Sequence, residues 1–207
     1  MAPDDAASAV VDVVFELGGT EVPADYAAPL CGEVRRHLPW FDLEDAAGLH
    51  PLRVMPTAYG VALLARRARL VLRVPEARAG DCGALEHAAL ELEGRMLHVG
   101  AARIRPLRPS PTLSAQRVAG AAHLGAFEDA AREELARLGI AGEVIAGRPR
   151  EARAGTRRIT GYALTVHGLG AGGSLRLQAS GLGGERRLGW GIFVPAKTIE
   201  GLGADPD

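Results

Sequence analysis

Apolar and polar residues alternate along SAVVDVVFEL at positions 8–17, the period of two that a half-buried strand produces because successive side chains leave opposite faces. The period then changes. Asp25 offers a helix N-cap, and Leu30, Val34 and Leu38 fall at i, i+4 and i+8 on one helical face before Pro39 stops the run. After a loop through residue 59, GVALLA and RARLVLRV (60–74) read as two strands joined by a tight turn at Arg66 and Arg67, or as one long bent strand. Residues 76–90 are helical in composition, weakened by Gly80 and Gly83, and ELEGRMLHVGAARIRPL (91–107) returns to strand.

Proline-rich LRPSPT (107–112) reads as a link. Beyond it TLSAQRVAG suits a strand, and Phe127, Ala131, Leu135 and Leu138 form a helical face with Glu128 and Asp129 early, Arg137 late and Gly139 as the stop. GEVIAGRPR and TRRITGYALTVHG read as a hairpin with an arginine-rich turn, SLRLQAS as a short helix and LGWGIFVP as the last strand. Each half thus runs βαββαβ, the ferredoxin-like order. The predicted fold is α+β: two tandem ferredoxin-like (RRM-like) domains, residues 1–107 and 108–207, the second carrying a C-terminal glycine-rich loop. No sequence repeat links the halves, so the duplication rests on element order alone.

Composition narrows the class. Hydrophobic residues make up 47% of the 207 residues, enough for a packed core. Cys31 and Cys82 form no C-x-x-C pair, so neither a zinc site nor a disulfide framework is expected. No stretch approaches 18 apolar residues and the MAPDDAAS start lacks the basic region of a signal peptide, so a cytoplasmic protein with no membrane partner is expected. The net charge of -1 hides an asymmetry: residues 1–50 hold 10 acids against 2 bases, and residues 51–207 hold 15 acids against 22 bases. Of the 24 bases 23 are arginine, the residue suited to bidentate phosphate recognition, although a GC-rich genome produces the same excess.

Catalytic signatures are scarce. GLGAGG (168–173) matches the dinucleotide fingerprint, but only 34 residues follow and no acid stands at the required distance. There is no P-loop and no G-x-S-x-G elbow, and DLED (Asp42, Glu44, Asp45) reads as solvated surface rather than a metal site; no metal or cofactor is expected. His50 stands apart from the other five histidines. It lies in AGLHPLRVMP, fixed by Pro51 with Arg53 close by, a setting for acid/base work on a phosphodiester because neutral imidazole accepts a proton near pH 7 and arginine steadies the phosphorane. The alternative is a surface loop histidine. GLGGERRLGWGIFVP (181–195) places five glycines around Arg186, Arg187 and Trp190. Such a segment is either a mobile hairpin tip or a backbone that approaches a polyanion closely.

The terminal pattern Gly181, Gly183, Arg186, Gly189, Trp190, Gly191, together with HLPW (37–40), GLHPLR (48–53), LLARRARLVLRV (63–74), SLRLQASGLG (174–183) and VPAK (194–197), resembles the CRISPR-associated repeat-RNA-processing endoribonucleases of the repeat-associated RNA-binding superfamily. That resemblance implies metal-independent cleavage of precursor CRISPR RNA within its repeats, the ribose 2′-hydroxyl attacking the adjacent phosphate to leave a 2′,3′-cyclic phosphate and a 5′-hydroxyl. It makes His50 the catalytic histidine and Tyr59 a candidate second catalytic residue. Candidate RNA contacts are Arg53, Arg66, Arg67, Arg69, Arg157, Arg158, Gly183, Arg186, Arg187 and Lys197. Trp190 either stacks a base or belongs to the core. Expected partners are a hairpin repeat RNA and other subunits of an interference complex, with the chain itself a monomer or weak homodimer. A non-catalytic RNA-binding subunit of such a complex is the alternative.

Overall fold

The computed structural model describes residues 9–57 and 60–196. Its first half runs β1 (Val10–Gly18), β2 (Glu21–Pro23), α1 (Ala27–His37), β3 (Gly48–Leu49), β4 (Val54–Pro56), β5 (Val61–Leu64), β6 (Arg69–Pro75), β7 (Ala89–Leu92) and β8 (Arg95–Pro106). The second runs β9 (Leu113–Ala119), α2 (Leu124–Arg137), β10 (Glu143–Ala154), β11 (Arg157–His167), α3 (Ala171–Ser180) and β12 (Val194–Pro195). The fold is mixed, with antiparallel pairing throughout and few helices. The first half holds a five-stranded sheet in the order β3-β6-β1-β8-β7 and a small sheet β2-β5-β4; the second holds a four-stranded sheet in the order β10-β11-β9-β12.

Each half has its own apolar core. Val11, Val13 and Phe15 on one face of β1 pack with Leu30 and Val34 of α1 and Leu70, Leu72 and Val74 of β6. Phe127, Ala131 and Leu135 of α2 cover Leu113, Ala115, Leu164 and Val166 of the second sheet. The helical face expected at 127–138 is therefore the face that is buried. β1 is unusual in being buried on both sides, since Asp12 and Val14 on the opposite face are only 3% exposed each. Segments of the second half cover that opposite face, and the site is built there.

Four local expectations change. Asp25 does not cap α1: Tyr26 occupies the N-cap with no side-chain bond, because β2 ties the preceding chain to β5 and this pairing sets where the helix starts. β5 and β6 do not pair with each other across Arg66 and Arg67, since β5 joins β2 and β4 while β6 joins β1 and β3. Residues 76–90 contain two 3-10 turns, Glu76–Arg78 and Gly80–Leu85, in place of an α-helix. Two glycines in six residues make a regular helix costly there. The last strand shrinks to two residues, because left-handed Gly189 (φ 80°) and Gly191 (φ 64°) break the extended run before it.

Candidate functional site

On the face of the first sheet away from α1, the ladder registers of β3, β6, β1 and β8 align Gly48, Arg73, Asp12 and Arg105 in one row. The consequence is a charge cluster built from strands. Asp12 accepts from Arg73 Nε at 2.8 Å and from Arg105 Nη2 at 2.9 Å. His50, whose backbone N–H continues the ladder onto Val71, places its Nε2 3.2 Å from Asp12 Oδ1. Burial alone would raise the Asp12 pKa, but the His50 hydrogen bond and the Arg73 charge outweigh it and hold the carboxyl well below the usual carboxylate range. Burial pushes His50 below its ordinary 6.5, opposed by the bond to Asp12 and aided by the Arg73 charge.

These shifts fix the tautomer. A carboxylate with no proton can only accept, so neutral His50 donates through Nε2 and leaves the lone pair on Nδ1. The imidazole keeps 12% of its side-chain surface accessible, while Arg105 is 54% exposed. A base and a half-exposed guanidinium thus share one buried carboxylate. From them the same strand face continues through Arg103 of β8 to Arg69 of β6, with Arg69 3.5 Å from Glu16.

The glycine-rich segment lies against this cluster. A Cβ on Gly189 would meet Leu49 O at 3.2 Å and Pro51 Cγ at 3.4 Å, so the loop touches residues on both sides of His50. Arg117 of β9 donates to Gly189 O at 3.1 Å and lies over the Trp190 ring at 5.5 Å. Arg73 reaches across the halves, donating through Nη1 to Phe193 O at 2.7 Å and Gln178 O at 3.0 Å. Gly48 lies close to this segment, since a Cβ there would be 2.6 Å from Ile192 Cδ1 and 3.4 Å from Arg186 Cβ.

The structure gives several expected RNA contacts protein partners. Trp190 is fully buried, so it belongs to the core and not to a stacking surface. Gly183 (φ 75°) packs its Cα against the Ala119 carbonyl and donates its N–H to Glu134, 3.2 Å away. Arg187 donates to Phe41 O, Asp42 O and Glu44 O at 2.8–3.1 Å. Arg186 is 8% exposed and makes one bond, Nη2 to Ala46 O at 3.3 Å; its Nε and Nη1 are buried without an acceptor. Burial and the charges of Arg73 and Arg187 push Arg186 down to about 10. Asp42 and Glu44, read as solvated surface, are 45% and 28% exposed and pair with Arg35 and Arg78.

Other candidates are exposed. Arg53, Arg66 and Arg67 lie on the surface, and Ala65 N donates to Arg53 O, which sets the arginine turn beside the residues that follow His50. Arg157 forks onto Glu185 and Arg158 pairs with Glu151. Arg157, Arg186 and Arg187 join Arg35 of α1 around a cleft of about 450 Å³ between the two halves. Tyr59 and Lys197 lie outside the described residues. Among the described residues no group of three metal-ligating side chains occurs, and no helix is long and apolar enough to cross a membrane.

Asp12, Arg73, Arg105 and Arg117 were missed as site residues. The signal was present for three of them: an acid inside VVDVV, and arginines inside LVLRVP and ARIRP, are charges in apolar strand runs. Such charges are rarely buried unless paired.

Comparison with known proteins agrees with this architecture. The sequence model of the Cas6 family, described as Cas6 Crispr, matches residues 11–198. A CRISPR-associated endonuclease Cas6 from Myxococcus xanthus (strain DK1622) is 36% identical over 187 residues, 89% of this chain and 81% of that protein. A solved CRISPR associated protein Cas6 superposes with a TM-score of 0.67 at 13% identity, covering 91% of this chain and 100% of the other. The product of a Cas6-related gene from Pyrococcus furiosus gives 0.62 at 9% identity, covering 91% and 99%. At these identities the two structures speak for the fold.

Proposed function

The chain belongs to the Cas6 family, and from that membership we propose that it is an endoribonuclease that cuts precursor CRISPR RNA within the repeat, without a metal ion, by attack of the ribose 2′-hydroxyl. The curated relative is a CRISPR-associated endonuclease. The observation that carries the chemistry is the shared carboxylate: buried Asp12 holds His50 through Nε2 and the half-exposed Arg105 through Nη2 on one strand face. His50 Nδ1 takes the proton from the 2′-hydroxyl. The 2′-oxygen forms its bond to the adjacent phosphorus as the bond from phosphorus to the 5′-oxygen breaks, which leaves a 2′,3′-cyclic phosphate. Arg105 neutralises the charge gathering on the non-bridging oxygens. The departing 5′-oxygen needs a proton, and Tyr59 is the proposed donor.

The RNA follows cations that stay accessible. Arg53 follows His50 in sequence, Arg66 and Arg67 follow Ala65, which bonds to the Arg53 carbonyl, and Arg103 and Arg69 extend the face beyond Arg105. Lys197, Arg157 and Arg158 belong to the same proposal. The two sheet orders support the tandem ferredoxin-like reading with a division near residue 107: each half places its first long strand at the centre, flanked by the strand before the crossover and the last strand. The cytoplasmic location, the hairpin form of the repeat and the assembly with other subunits are carried as part of this reading.

Incubating the chain with its repeat RNA in EDTA tests the proposal. One cut per repeat, leaving a 2′,3′-cyclic phosphate and abolished by a single 2′-deoxy substitution at the scissile position, is the expected result. A stable uncut complex would instead make the chain a binding subunit.

A further inference from the structure

We propose that the arginine cleft between the two halves is a seat for one RNA phosphodiester, and that the Glu185 carboxylate occupies it in the RNA-free protein as an internal substitute for that phosphate. The inference rests on the RNA-binding part of the function proposed above. It concerns a different place from His50, since the cleft is lined by Arg35, Arg157, Arg186, Arg187 and Glu185, and His50 is not among its walls.

Geometry motivates the assignment. Glu185 meets Arg157 as a two-pronged fork, Oε1 to Nη1 at 2.5 Å and Oε2 to Nη2 at 2.9 Å. Two non-bridging phosphate oxygens engage a guanidinium through the same fork. Glu185 is presented by a left-handed residue (φ 55°) directly before the 3-10 turn Arg186–Leu188, and its own carbonyl accepts from Leu188 N and Trp190 N. These bonds fix the Glu185 main chain, from which the carboxylate lines the cleft.

Charge supplies a second, independent reason. Arg186, more than nine-tenths buried, has two guanidinium nitrogens without an acceptor. The charges of Arg73 and Arg187 both act on it, offset in part by Asp12. Asp42 offsets part of this by pairing with Arg35 at 2.8 Å and Arg187 at 3.3 Å, but it does not line the cleft. The residues lining the cleft thus include four arginines and a single carboxylate, Glu185. That excess is what an entering phosphate would neutralise.

A latch of this kind makes Glu185 a competitor of RNA, whereas a plain strut between hairpin and loop makes it a supporter, and the two roles predict different signs. The test measures binding of repeat RNA blocked by a 2′-deoxy nucleotide at the scissile position, across salt, for the wild type, Glu185→Gln and Arg157→Gln. Arg157 is 60% exposed at a hairpin tip, so neither change removes core packing. Glu185→Gln is expected to tighten binding about tenfold and to steepen the salt slope by about 0.7 to 0.9, the increment that one further neutralised phosphate produces. Arg157→Gln is expected to weaken binding and flatten the slope by the same amount.

Shifts of the same sign in both variants, or no shift in either, overturn the proposal and leave the pair a strut. If wild-type chain binds and cuts repeat RNA while the variants match it, the latch alone has failed. If the wild type binds no RNA, the functional reading has failed, and pyrophosphate then probes the cleft directly: a larger thermal upshift in Glu185→Gln than in wild type supports an anion seat, and none in either variant overturns it. A pyrophosphate upshift with unchanged RNA affinity assigns the cleft to a free anion and overturns the RNA seat.

Discussion

At the scale of single residues the decisive feature is the one carboxylate that serves both a base and a cation. The role proposed for His50 came from the sequence, where proline and arginine beside a loop histidine suggest phosphodiester chemistry. Its partner was not legible there, because nothing local in VVDVV says which strand will pair with it. Burial holds His50 below its ordinary 6.5, so the base form predominates at neutral pH and the acid limb of the cleavage profile should fall below pH 6.5. The sign for stability is the same: a depressed histidine contributes fully above its unfolded value and loses that contribution as pH drops through the folded one. Asp12→Asn removes a bond and a charge that favour the imidazolium, so the acid limb should move to still lower pH, with the plateau rate down at least roughly tenfold as the tautomer is released. A merely structural Asp12 would lower stability and leave the limb in place.

At the scale of elements, the glycine-rich segment turned out to be packed. Its sequence offered a mobile tip or a surface for a polyanion, and the structure packs most of it against β9, β3 and α1, with Glu185–Leu188 lining the cleft. Gly183 and Gly184 distinguish the causes because both are left-handed, at φ 75° and 70°. A Cβ on Gly183 runs into the Ala119 carbonyl, while one on Gly184 meets open space. Gly184→Ala should therefore cost about 1 kcal/mol, the left-handed penalty alone, and Gly183→Ala at least about 3 kcal/mol, since backbone must move as well. Denaturant midpoints at constant m-value measure both. Equal losses would mean that the segment yields readily and is not a wedge. The helix at 124–137 and the long hairpin were readable because their periodicity matches their burial. Residues 76–90 were not: composition suggested a helix, but Gly80 and Gly83 left only 3-10 turns.

At the scale of the whole molecule, the halves are locked by two arginines, one of which, Arg187, the sequence suggested was for RNA. Arg73 reaches from β6 to Phe193 and Gln178, and Arg187 reaches from the glycine-rich segment to residues 41–44. An excess of arginine reports capacity for bidentate bonding, and whether the acceptors are phosphates or main-chain oxygens depends on pairings more than 100 residues apart. The mixed architecture of antiparallel strands and few helices was visible in the element pattern; the interlock that sets His50 beside Gly189 was not. The account's central claim is that this interlock presents an RNA phosphodiester to the His50 imidazole. Single-turnover cleavage of repeat RNA by saturating His50→Ala, with binding measured on the same samples, tests it most directly. The expected result is cleavage slower by about 100-fold or more with affinity retained; cleavage at the wild-type rate would contradict the claim.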